Sequence, residues 1–262
     1  MLLEVAVLVS VGRHPVSARA RRADGDARAV EMALKLCERY GAQLRLIHAG
    51  DPAEPVLRDY CGMGPDALVV LELASGLDAL PVISRYLCAA RPRLVLTGSQ
   101  AEQGVCSGQL PYVLAEALGY PIVTSIAGIE LGLTHADLFQ ALPHGRRRGL
   151  RASLPVVASV ALAAPPPRQS AFARARRALI VREAVPDAPR VPAPVYSQRP
   201  ARAHQPRARG QGAAAGIDRL RAIREAPDSR GQRIEGAHPD EAARAILDHL
   251  TGKGVLKSDR AR

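Results

Sequence analysis

Over the first 163 residues, apolar runs of strand length alternate with stretches whose apolar positions recur every three or four residues. Residues 5–11 are one such run. Across 29–39, Val30, Ala33, Leu34 and Cys37 fall on one helical face, and Gly41 follows as a stop. Strands are predicted over 43–48, 67–73 and 93–97, with a short helix over 55–60. A helix is predicted over 78–90, and Pro81 falls in its first turn, where a missing N–H is tolerated. Leu110, Val113, Leu114, Ala117 and Leu118 form the next helical stripe, closed by Gly119. Further strands are predicted over 121–130 and 154–162. The alternation predicts an α/β domain: βαβ crossovers, a parallel sheet, and helices on both of its faces.

Beyond residue 163 that pattern stops. Residues 165–210 hold nine prolines and ten arginines against two acids, Glu183 and Asp187, which places +8 of the chain's net +11 in 46 residues. Such a segment cannot bury enough apolar surface to fold alone, and it reads as an extended Pro/Arg-rich arm. Helical spacing returns over 240–250, where Ala242, Ala245, Ile246 and Leu250 share a face between Pro239 and Gly252. The chain therefore divides into an α/β domain over 1–163 and, over 164–262, a basic arm ending in a helix.

Composition narrows the function. Apolar residues make up 47% and aromatics 3%, with no Trp, so Val, Leu and Ala must fill the core. The four cysteines form no CxxC pair, which argues against a zinc site and suits a reducing cytoplasm. The start, MLLEVAVLVSVG, lacks the basic n-region and small-residue cleavage site of a signal peptide, and no apolar stretch reaches membrane-spanning length. His14, His48, His135 and His144 fall in loops or at strand ends without a nearby nucleophile, so no catalytic set is expected. The basic stretch carries only Phe172 and Tyr196 as aromatics, too few for a stacking platform, so nucleic acid is not an expected partner.

The segment TGSQAEQGVCSGQ, residues 97–109, lies between the 93–97 strand and the 110–118 helix. In an open parallel sheet, ligands bind outside the carboxyl ends of the strands. Gly98, Gly104, Ser107 and Gly108 would give such a loop free backbone N–H groups near a positive helix end, which suits a phosphate. The same residues also suit a plain turn with Ser107 as cap. Neither GxGxxG nor GxxxxGK[ST] occurs.

VLVSV, RAVEMALKLCE, RPRLVLTGSQAEQGVCSGQLPYVLAEALGYPIVTSI and LPVVASVALAAPPPRQSAFARARRALIV stand in an order and spacing that resembles the small (β) subunit of electron-transfer flavoproteins. The resemblance covers residues 3–185 and, more weakly, the C-terminal helix. It implies a Rossmann-like, adenine nucleotide hydrolase-like domain, and a heterodimer with an α subunit that holds most of an FAD and on which the terminal helix packs. It also implies AMP, or in electron-bifurcating relatives a second FAD, in the sheet edge of this subunit. The nucleotide contacts it implies are Ser10, Ala49, Gln100, Ala101, Cys106, Ser107, Gly108 and Gln109. Three places depart from the family's pattern, one of them the acidic stretch of the phosphate loop, which is shortened here and leaves Gln103-Gly104-Val105. The family's Asn-Pro-aromatic-acid turn is here Ala23-Asp24-Gly25-Asp26, and a basic residue after the first strand is replaced by Gly12, with Arg13 beside it.

In the same resemblance, residues 165–178 match the segment that docks on partner flavin-containing dehydrogenases. Phe172 falls at the apolar anchor, and Arg168, Arg174, Arg176 and Arg177 supply charge. One apolar knob with cations around it makes a small hot spot with a fast encounter rate. The alternative is a stand-alone, stress-protein-like adenine-nucleotide binder of similar fold.

Overall fold

Nine strands form one sheet through the middle of the first of two compact units, residues 1–198 and 199–262. The structure, a computed structural model, describes residues 3–193, 197, 234–236 and 238–252. In chain order the elements of the first unit are β1 (Glu4–Leu8), β2 (Val11–Arg13), β3 (Ala20–Arg22), α1 (Asp24–Tyr40), β4 (Gln43–Gly50), α2 (Leu57–Cys61), β5 (Ala67–Glu72), α3 (Ala79–Ala90), β6 (Leu94–Gly98), α4 (Leu110–Leu118), β7 (Ile122–Leu131), β8 (His135–Ala141), β9 (Arg147–Ser153), β10 (Val156–Val160), α5 (Phe172–Arg177) and β11 (Leu179–Glu183). Across the sheet the order is β11-β5-β4-β1-β6-β10-β7-β8-β9. The pairings from β11 to β7 are parallel, and β7-β8-β9 is antiparallel.

The parallel strands are apolar because both faces are covered. On one face Val5, Val7, Leu46 and Leu94 pack with Val30, Ala33 and Leu34 of α1 and with Leu57 and Tyr60 of α2. On the other, Ala6, Leu8, Ile47 and Val95 pack with Val82, Ile83 and Leu87 of α3 and Leu114 of α4. The predicted α/β architecture, with helices on both faces, is present.

Four differences from the sequence pattern matter for function. The first apolar run ends at Leu8, and Val11 opens a small antiparallel hairpin, β2-β3. α1 begins at Asp24, five residues before its apolar stripe, because its first turn is held by a distant side chain described below. β8 and β9 extend the sheet through residues that carry no continuous apolar run; the outward positions mix charged residues such as Asp137 and Arg151 with the exposed Phe139. Finally, the sheet does not end at residue 163. β11 pairs with β5 over five residues in parallel register, so the start of the Pro/Arg-rich stretch runs back along the domain's edge. The part of that stretch beyond 193, apart from residue 197, lies outside the described residues, as does Tyr196.

In the second unit the described element is α6 (Pro239–Gly252), slightly longer than the predicted helix and opened by Pro239 itself.

Candidate functional site

The chain runs from β1 outward through β4 to β5, then returns to lay β6 on the other side of β1. Strand order therefore reverses between β1 and β6, the place where a parallel sheet opens a crevice at its carboxyl edge. A cavity of about 270 Å³ lies there. It is lined by Ser10, Ala49, Gln100, Ala101, Cys106, Ser107 and Gly108, which are seven of the eight positions named from the sequence. Gln109 stands just outside the lining, as the residue that precedes α4.

The loop from β6 to α4 is shaped by its backbone. Gly104, Cys106 and Gly108 all adopt positive φ, at 77°, 51° and 69°. The Gln100 side-chain amide donates to the Cys106 carbonyl and ties the loop's two halves together. Ser107 Oγ accepts from the Gln109 N–H at 3.3 Å, so Ser107 steadies the approach to α4, and no side chain caps the helix itself. Of the first N–H groups of α4, that of Tyr112 donates to the Gln109 carbonyl at 3.0 Å. One of those positions is Pro111, which has no N–H to give.

At the floor of the cavity lies Asp26, in the second residue pair of α1 and almost completely buried. Its carboxylate accepts from the Ser10 N–H at 2.8 Å, the Ser10 hydroxyl at 2.6 Å and the Gly98 N–H at 3.1 Å. Gly98 has to be glycine, because a Cβ there would lie 2.4 Å from Asp26 Oδ1. Burial pushes the Asp26 carboxyl up to about 6, against the lowering effect of the Ser10 and Gly98 hydrogen bonds. Tyr60 supports this corner: its hydroxyl accepts from the Ala23 N–H at 2.8 Å and donates to the Ser10 carbonyl at 2.7 Å. His48 also lines the cavity, with Nδ1 2.8 Å from the Val9 carbonyl oxygen, and burial lowers its pKa. His48, near the end of β4, is thus part of the cavity wall.

Glu102 connects the loop to the β2-β3 hairpin. It accepts from the Arg13 N–H at 3.0 Å and the Asp24 N–H at 2.9 Å, and it pairs with the Arg21 guanidinium at 3.1 Å. Gln103 adds a bond from its side-chain amide to the Val11 carbonyl at 2.7 Å. Glu102 thus caps α1, whose own N-cap position, Ala23, has no side chain to offer. Gly12 fits the same arrangement, since a Cβ there would meet Glu102 Oε2 at 2.6 Å. Asp26 and Glu102 were not singled out from the sequence, and His48 was considered there only as a catalytic group. For Asp26 the available signal was its place at the acid position of Ala23-Asp24-Gly25-Asp26, which the structure puts at the start of α1.

The second set of candidate residues lies on the segment from Pro165 to Ala178. Phe172 opens α5 and is 78% exposed. Arg176 and Arg177 are exposed beside it, while Arg174 donates to the Gly64 carbonyl at 2.7 Å. Arg168 is placed differently. Its guanidinium pairs with Glu31 at 2.8 Å and Glu38 at 2.9 Å, both on α1, so it clamps the base of the segment. Burial pushes Glu31 up, but the hydrogen bonds and charge of Arg168 outweigh this and hold its carboxyl below the ordinary value. The Ala171 N–H donates to the Gly62 carbonyl at 2.9 Å, and Arg58 donates to the Ala178 carbonyl at 2.7 Å, fixing both ends of α5.

Among the described residues, no helix is long and apolar enough to cross a membrane. Residues 17–188 match the electron transfer flavoprotein domain. The chain is 43% identical over 262 residues to the electron transfer flavoprotein subunit beta of Chromohalobacter salexigens, covering 97% of this chain and 96% of that one. It is 32% identical over 119 residues to the electron transfer flavoprotein subunit beta of Bacillus subtilis, covering 43% of this chain and 46% of that one. A family match over most of the sheet, joined to similarity along nearly the whole chain, places this protein in the electron transfer flavoprotein family, as a β subunit.

Proposed function

We propose that this β subunit pairs with an α subunit holding most of one FAD, receives electrons from flavin-containing dehydrogenases, and keeps one adenine nucleotide, AMP, in the crevice between β1 and β6. The observation that carries the nucleotide reading is the crevice itself. It opens where strand order reverses in a Rossmann-like arrangement, and it is walled by a loop of three positive-φ residues leading into α4. The size and setting suit a small phosphate ester: a cavity of about 270 Å³ lined by the glycine-bearing loop that leads into α4. FAD supplies the electron-carrying chemistry. This chain's residues bind and position. Ser107 and Gln100 hold the loop in shape, and Glu102 fastens it to the hairpin. Phe172, with Arg174, Arg176 and Arg177, forms the dehydrogenase-docking surface, and Arg168 anchors its base.

The test is co-expression with the α subunit, followed by acid extraction of the purified heterodimer and chromatography of the released nucleotides. One FAD and one AMP per heterodimer are expected. Two FAD would assign the crevice to a second flavin. One FAD and nothing else would make the 98–109 loop a structural turn.

A further inference from the structure

We infer that Asp26 sets the specificity of the crevice: its carboxylate occupies the amide nest where β1 and β6 diverge and restricts the site to nucleotides with a single phosphoryl group. The inference rests on the nucleotide reading above. In dinucleotide-binding α/β folds, the pyrophosphate takes the amides after the first strand and at the start of the helix that follows it. Here those donors are already used within the protein. The Ser10 and Gly98 N–H groups bond Asp26, and the Asp24 N–H, at the start of α1, bonds Glu102.

The rest of the lining points the same way. No Lys or Arg is among the residues that line the cavity, while a second carboxylate, Asp78, does line it and accepts from the Leu80 N–H at 3.0 Å. His48 offers no cation at neutral pH, since burial lowers its pKa. A single phosphate can use the loop side of the cavity, near Cys106 to Gln109. A second or third phosphoryl group would bring more negative charge toward the buried Asp26 and the half-buried Asp78, with no side-chain cation to offset it.

The experiment is calorimetric titration of nucleotide-stripped αβ heterodimer with AMP, ADP and ATP in the absence of divalent cations. AMP is expected to bind wild type at least about tenfold more tightly than ADP, and ATP more weakly still. In Asp26→Asn, AMP and ADP should come within about threefold of each other, roughly half the logarithmic gap. Equal affinity of wild type for all three nucleotides would overturn the inference and leave the nucleotide reading standing, and this holds even if Asp26→Asn does not fold. Failure of all three to bind would overturn both. An undiminished AMP preference in a folded Asp26→Asn would remove Asp26 from the explanation.

Discussion

The crevice between β1 and β6 and the segment carrying α5 are both candidate binding regions, yet they are built in opposite ways. The crevice is concave, walled by the 98–109 loop and by apolar side chains such as Leu8, Ile47 and Ile83. Its charged floor, Asp26, is buried, Thr97 is 2% exposed, and no Lys or Arg lines it. The α5 segment is convex and made of side chains, with Phe172 standing 78% exposed among arginines. Hydrogen bonds in a desolvated crevice are strong and little screened by salt; charges on an exposed surface are weak and easily screened. The first construction suits a ligand that stays. The second suits a protein partner that must arrive quickly and leave. Rigidity is common to both, and α1 supplies it: Asp26 braces the crevice from its first turn, while Glu31 and Glu38 clamp Arg168 from its middle and end.

The comparison can be broken in three places. The largest effect is expected from Asp26. Its folded-state pKa, about 6, lies above its ordinary value of 3.8. The protonated carboxyl therefore contributes stability that is complete below about pH 3.8 and lost as pH rises through 6. A rise of roughly two units corresponds to about 3 kcal/mol lost between these limits. Glu31 acts in the opposite sense: its pKa is lowered, so its contribution is present above its ordinary value of 4.5 and lost as pH falls through the depressed one. The Asp26 part is isolated by urea denaturation of wild type and Asp26→Asn at pH 4, 5.5 and 7. The wild-type curve should fall relative to the variant as pH rises. Parallel curves would mean that Asp26 is not held as a buried carboxyl.

Next is Phe172→Ala. A Phe buried in a partner pocket contributes about 1.5–3 kcal/mol, so subsaturating reduction of the heterodimer by its dehydrogenase should slow roughly ten- to a hundredfold. Flavin content should stay unchanged, and an unchanged reduction rate would reduce α5 to a connector. The smallest effect is expected from Arg176→Glu with Arg177→Glu. Both side chains are exposed, so the loss in association rate should be only a few-fold and should shrink with added salt, within about 1 kcal/mol per charge. Stopped-flow reduction at two ionic strengths measures it. A salt-independent deficit would mean that these arginines act through structure and not through charge.

Much of the parallel half of the sheet was readable from the chain, because strands buried on both faces must be apolar along their length. Val5, Leu46, Leu68 and Leu94 announce themselves in this way. β8 and β9 were not readable: one side of each faces water, and β9 runs Arg147-Arg148-Gly149-Leu150-Arg151, with alternation too broken to recognise. β11 was hidden by its setting, three apolar residues, Leu179-Ile180-Val181, followed by Arg182 and Glu183 inside a stretch dominated by proline and arginine. The loop positions of the crevice were legible through the family resemblance and the glycine spacing. Its floor was not, because an aspartate two residues into a helix usually reads as dipole complement or solvent-facing charge. Only the fold shows that Asp26 turns inward to Ser10 and Gly98. The ion pairs of Arg168 were hidden for a related reason: its partners on α1 lie more than a hundred residues away.

The Glu102 bond to the Asp24 N–H joins residues 78 positions apart in the chain. A helix that borrows its cap from so far away cannot complete its first turn by local folding; the body of α1 can form early, but its entrance must wait until β6 has docked beside β1. The same dependence persists after folding. Each excursion of the 98–109 loop uncaps α1 and exposes the amides that follow Ala23, so hydrogen exchange at the start of α1 reports the opening of a loop that is remote in sequence. A ligand that quiets the loop protects the Asp24 N–H through Glu102, and the hairpin carrying Arg13 and Arg21 is coupled to it through its own bonds to Glu102.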